Sequence, residues 1–147
     1  MKKDKYQYKS ESQLEYFEFY SEGPNGVIKK VVEFQLTTQK NVYNLAFGDY
    51  SDTAKEIDDL SVTNNGDSLK VLATVASTVY AFIQKHPNAI VVATGSTIAR
   101  TRLYRMGITN NLVEISEDFV IFGFNKVGDW EQFKVGEDYK AFLLKKK

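Results

Sequence analysis

The sequence predicts a single α+β domain, a mostly antiparallel twisted sheet carrying two main helices. Three observations predict it. Alternating aromatic and β-branched runs fill both ends of the chain, at 14–20, 27–37, 41–48, 119–124 and 139–144. Between them, residues 67–86 repeat apolar side chains at steps of three and four, the period of a helix. A length of 147 residues, 43% apolar and 26% charged, makes one globular domain over 1–147 with no room for a second.

Each element follows in order. Leu14 to Tyr20 and Val27 to Thr37 flank Glu22-Gly23-Pro24-Asn25-Gly26, dense in turn residues, and predict a hairpin with a long loop. Thr38 to Asn41 turns the chain into a third strand, Asn41 to Gly48, where Val42, Asn44 and Ala46 alternate with Tyr43, Leu45 and Phe47. From Gly48 to Asp59 the chain is acidic and polar and reads as a solvated loop; Leu60 to Thr63 reads as one more short strand. Asp67 or Ser68 suits a helix N-cap, and Leu69, Leu72, Ala76, Val79 and Ile83, widened by Val71, Val75 and Phe82, mark the inner face of the helix that follows. Pro87 ends it, because the residue before a proline is pushed out of the helical region. Ala89 to Ala93, apolar throughout, predicts a central strand covered on both faces.

Ser96 caps a second helix, Thr97 to Met106, which Gly107 closes. Residues 108–116 fit either helix or strand. Phe119 to Phe124 is a strand, Gly128-Asp129-Trp130 a turn, Tyr139 to Leu144 the last strand, and Lys145 to Lys147 a solvated tail.

Composition excludes several chemistries. The chain has no cysteine, which removes disulfides, thiolate metal sites and thiol nucleophiles. Its one histidine, His86, rules out a multi-histidine zinc site. Nineteen basic residues balance nineteen acidic ones, so no summed positive charge draws the chain to nucleic acid or an anionic membrane. The longest apolar runs fall far short of the roughly 20 residues that span a bilayer. Tyr6 to Gln13 also lacks the apolar core of a signal segment, so a cytoplasmic location is expected.

Arginine placement carries the candidate site. All three arginines, Arg100, Arg102 and Arg105, fall within six residues, against sixteen lysines spread along the chain. At roughly 100° per residue, Ala99, Leu103 and Met106 define one buried helix face, Arg100 and Arg102 flank it, and Tyr104 lies beside Arg100. Planar, multi-donor guanidinium groups suit a carboxylate or phosphate. The free amides of the Gly95-Ser96-Thr97 turn add to an anion site. A structural reading competes: Arg100 pairs with an acid of the Asp58-Asp59 loop and holds that loop down.

The remaining candidates have plain structural explanations. Asp58-Asp59 could hold a divalent cation, but such pairs are commonly solvated loop residues. His86 could act as a general base, yet a helix C-terminus favours a histidine for its dipole alone. No metal site is expected. Neither helix start matches the P-loop or the dinucleotide fingerprint.

Thr63-Asn64-Asn65-Gly66-Asp67, Lys70 to Val75 and Gly95-Ser96-Thr97-Ile98-Ala99-Arg100-Thr101-Arg102-Leu103-Tyr104-Arg105 together resemble an uncharacterised family of small bacterial proteins, a domain of unknown function. That resemblance implies no activity. The order of four strands, helix, strand, helix and two strands is also similar to N-acetyltransferases of the GNAT superfamily with their first helices missing. This second resemblance implies coenzyme A as cofactor and Tyr104 as a catalytic acid that protonates the departing thiolate. Leu103 and Tyr104 match the motif of that superfamily's later helix, whereas Thr97 and Arg100 stand where Asn and Ala would be. Asp67 places a carboxylate where phosphate would lie.

The function expected first is a non-catalytic binding or interaction domain with no cofactor. Its ligand would be an anionic small molecule or acidic peptide, held by Arg100, Arg102, Tyr104, Gly95, Ser96 and Thr97. The alternative is an acyltransferase-like enzyme using acetyl coenzyme A. A nucleic-acid-binding or toxin-like role comes last, for want of net positive charge and of a histidine pair.

Overall fold

A computed structural model describes residues 4–58, 64–95 and 97–147. Among the described residues the chain forms nine strands and three helices. The strands are β1 (Lys9–Ser10), β2 (Tyr16–Gly23), β3 (Gly26–Leu36), β4 (Val42–Ser51), β5 (Glu56–Asp58), β6 (Ile90–Ala93), β7 (Phe119–Phe124), β8 (Trp130–Gln132) and β9 (Ala141–Lys146). The helices are α1 (Ser68–Lys85), α2 (Ile98–Asn110) and α3 (Leu112–Asp118). One sheet contains every strand in the order β1-β2-β3-β4-β6-β9-β7-β8, with β5 paired to β4. Only β4 and β6 run parallel. The α+β class with a mostly antiparallel sheet is therefore what the alternating runs encode.

All three helices cover one face. Strand alternation puts Phe17 and Phe19 of β2, Val32 and Phe34 of β3, Leu45 and Phe47 of β4, Val91 of β6 and Phe119 and Ile121 of β7 in a single apolar cluster with α1. At its centre the rings of Phe34 and Phe82 stack 4.1 Å apart with only 2° between their planes. Aromatic residues dominate this core because each removes a large apolar area from water.

Several expectations are corrected, each for a local reason. The first hairpin closes through two residues, Pro24 and Asn25, and not a long loop, because Gly26 adopts a positive φ of 86° that permits a tight turn. The acidic stretch after Gly48 is no loop: β4 runs on to Ser51 and folds back as β5, pairing Tyr50 with Ile57. That pair supplies the apolar partners that the surrounding aspartates hide in the sequence. Leu60 to Thr63, read as a strand, lies outside the described residues.

α1 begins and ends as expected, and Val71, Leu72, Val75, Phe82 and Ile83 of its apolar face are buried. Leu69 is the exception, 62% exposed, and Thr74 and Thr78 are buried beside the expected residues. The threonines tolerate this because Thr74 and Thr78 donate their hydroxyls to the helix carbonyls of Lys70 and Val75. Asp67 precedes the helix without capping it through its side chain. Its Oδ2 instead accepts from the hydroxyls of Tyr6 and Ser21, both at 2.5 Å, tying the N-terminal segment and β2 to α1.

β6 is central, between β4 and β9, but is not fully covered on both faces: Val91 and Ala93 are buried, Ile90 and Val92 only half so. The helices occupy one side only. Thr97, not Ser96, caps α2, its Oγ1 accepting from the Arg100 amide at 3.1 Å; Ser96 lies outside the described residues. Gly107 does not close α2 but sits inside it, where a Cβ would stand 3.2 Å from Leu72 of α1. Lys145 and Lys146, expected in a tail, end β9 with exposed side chains.

Candidate functional site

The site originates in how β4 shares one of its edges. β3 pairs with Tyr43–Asp49 along one edge; on the other, β6 takes Val42–Asn44 and β5 takes Asp49–Ser51. Among the described residues, 45–48 on that second edge have no strand partner, which leaves a gap between β6 and β5. β6 diverges from β4 after three pairs because α2 must begin just beyond it, through Thr94, Gly95 and Thr97.

Arg100 enters this gap. Its side chain is only 4% exposed, and Nη2 donates to the Asp58 carbonyl at 3.1 Å. A Cβ on Gly48 would come within 3.0 Å of the same Nη2, so glycine there lets the guanidinium approach the strand. No carboxylate among the described residues forms an ion pair with it. The structural alternative is therefore met by a backbone carbonyl of the acidic segment; Asp59 lies outside the described residues.

Above the gap opens a cleft of about 360 Å³, lined by Glu33, Asn44, Ile57, Gly95, Arg100 and Tyr104 among others. A polar ladder runs along its floor, Asn44 Nδ2 donating to Gln35 Oε1 at 3.3 Å and Gln35 Nε2 to Glu33 Oε1 at 2.8 Å. Behind it lies a nearly apolar cavity of about 80 Å³, lined by the sheet and all three helices. Leu45 and Tyr104 line both spaces and so form the partition between them.

The structure separates the predicted residues into two groups. Arg100, Tyr104 and Gly95 line the cleft above β4. Arg102 is exposed and, with Arg105, Thr97 and again Gly95, lines a different cleft, of about 430 Å³, where Arg105 Nη1 meets Asp138 Oδ1 at 2.5 Å. The buried face of α2 is formed by Arg100 and Tyr104, while Ala99 is exposed and Met106 is 38% exposed. A gap in the sheet edge admits a long cationic side chain that helix periodicity alone would place at the flank.

Two features were not foreseen. Glu33, Gln35, Asn44 and Glu56 join the cleft through strand register, which no spacing in the sequence discloses. Lys30 is 1% exposed and paired with Asp49 at 2.5 Å directly across β3 and β4. With Arg100 it lines a further cleft of about 410 Å³ beside the start of α1. A lysine one residue from two valines in a strand was the only hint of its burial.

The other candidates have structural partners. His86 Nε2 lies 2.8 Å from the Gln13 carbonyl, and its ring packs on Phe82 and Tyr43. Among the described residues no three histidine or acidic side chains cluster as metal ligands would. No helix of the structure is long and apolar enough to cross a membrane.

Comparison with known families matches one model, a family of unknown function, DUF6934, over residues 2–147. The chain belongs to DUF6934. Membership spans the sheet, the helices and both clefts, so the whole fold with its Arg100 gap lies within the family's extent. No match to a curated protein or to a solved structure was found.

Proposed function

We propose that the chain is a non-catalytic binding domain that holds a small anion at Arg100. The observation that carries this is a nearly buried guanidinium whose hydrogen bond to the described residues is a single one, to a carbonyl, at the base of an open cleft. A guanidinium has five N–H donors and stays charged at any accessible pH. Burying such a group is costly unless an anion or several acceptors face it. A ligand carboxylate or phosphate would supply both. Arg102, exposed and in the neighbouring cleft, steers approaching anions and does not bind them directly.

The test is a thermal-shift titration of the wild type and of Arg100→Met with acetate and inorganic phosphate. Ligand binding to the native state alone must raise the melting temperature. A rise in the wild type and none in a folded Arg100→Met supports the reading. No rise in either, with Arg100→Met strongly destabilised, leaves the guanidinium a strut between α2 and β5.

A second reading is an acyltransferase-like enzyme with coenzyme A as cofactor and Tyr104 as acid. Its support is the position of Tyr104 at the inner end of the cleft, beside the diverging strands β4 and β6. Coenzyme A added to the same titration decides it: a shift that free phosphate does not reproduce, together with acyl transfer lost in Tyr104→Phe, would favour the enzyme.

A further inference from the structure

We propose that the bound anion is a small carboxylic acid with a short apolar tail, its carboxylate on Arg100 and its tail in the cavity behind Tyr104. This rests on the anion reading of Arg100 and adds the ligand's chemical class.

Three observations converge on it. Arg100 and Tyr104 stand four residues apart on the buried face of α2, which puts their Cβ atoms about 6 Å from each other. Both line the same cleft, so the tail of a carboxylate held on the guanidinium can extend to the tyrosine ring. There Tyr104 and Leu45 are the only described side chains that border the polar cleft and the apolar cavity alike. A tail that displaces either one would pass from the cleft into the cavity.

The cavity selects the tail. Its walls include Val75, Val91, Ile115, Ile121 and Phe142, and almost none of its surface is polar. Such a space stays dry and takes apolar matter. By the measure in which a cavity of about 150 Å³ accepts benzene, 80 Å³ has room for roughly three to four carbons.

The rim selects the head. Glu33 and Glu56 also line the cleft, and their charge opposes a phosphate dianion more than a carboxylate monoanion. A buried cation at the base, with half-buried Glu33 and exposed Glu56 lining the same cleft, thus favours a single negative charge. The proposal needs no covalent step.

Straight-chain monocarboxylates from acetate to octanoate, and the 1-alcohols of equal length, are titrated into the full chain and followed by two-dimensional NMR. Affinity is expected to rise about fourfold per methylene through butyrate or pentanoate and then to level or fall, with alcohols binding at least tenfold more weakly. Ala76→Leu, which fills the cavity from α1, flattens the length dependence and leaves acetate binding unchanged; Val91→Ile does the same from the sheet should Ala76→Leu not fold. Equal affinity for acetate and pentanoate in the wild type overturns the tail and spares the anion site. Failure of every carboxylate to bind the wild type overturns both.

Discussion

Arg100 and Tyr104 occupy successive turns of the same buried face of α2, one facing a polar cleft and the other dividing that cleft from an apolar cavity. The pair holds its orientation because the first turn of α2 is fixed at Thr97, whose hydroxyl oxygen accepts from the Arg100 amide. Thr97→Ala should lower the unfolding free energy by about 1 kcal/mol, and Thr97→Ser should retain most of it. Urea denaturation of the two variants measures the difference; equal losses would show that the methyl group, not the hydroxyl, stabilises the turn.

Gly95 meets the same turn from the strand side. A Cβ there would lie 2.4 Å from the Thr101 backbone nitrogen, so Gly95→Ala must displace α2, at a cost of about 3 kcal/mol. Gly26→Ala is the control: its Cβ would meet nothing within 4 Å, and only the positive φ opposes it, by about 1 kcal/mol. Chemical denaturation should rank the two in that order.

The Lys30–Asp49 pair lies across β3 and β4 with the lysine almost wholly buried. Asp49→Leu alone takes a carboxylate from a buried ammonium group and should cost about 3 kcal/mol or more, whereas Lys30→Met with Asp49→Leu should recover most of that loss. A double-mutant cycle by denaturation gives the coupling. Purely additive losses would mean that the two charges do not stabilise each other.

Burial, reinforced by the carboxylates of Asp118, Glu114 and Glu117, pushes the Tyr80 phenol up to about 12. Its hydroxyl donates to the Glu114 carbonyl at 2.7 Å, a bond only the neutral form can make. In the unfolded chain the phenol ionises near 10. Between pH 10 and 12 the unfolded state therefore sheds a proton that the folded state keeps, and stability falls as pH rises. The contribution, present in full below about pH 10, is lost progressively towards pH 12. Tyr80→Phe should flatten that part of the stability profile; an unchanged slope would assign it to the other tyrosines.

Much of the fold was legible because strand and helix periods are local properties. The aromatic alternation at 16–23 and 26–36, the buried run at 90–93 and the break at Pro87 each appear in the structure close to where residue pattern puts them. Elements of two or three residues, β1, β5 and β8, left no periodic trace. α3 was ambiguous because seven residues give too few turns to show a stripe.

By itself the sequence determined the class of fold, one domain with a cysteine-free core, and the concentration of guanidinium charge at the start of α2. Only the tertiary structure decided which arginine is buried. Helix periodicity describes a cylinder in isolation; the neighbour each face meets is set by the sheet. Among the described strands β6 and β5 divide one edge of β4, and Arg100 reaches into the gap between them while Arg102 remains exposed. Pairing over some forty residues of separation brought Glu33, Asn44 and Tyr104 to one cleft, a juxtaposition that no local pattern carries.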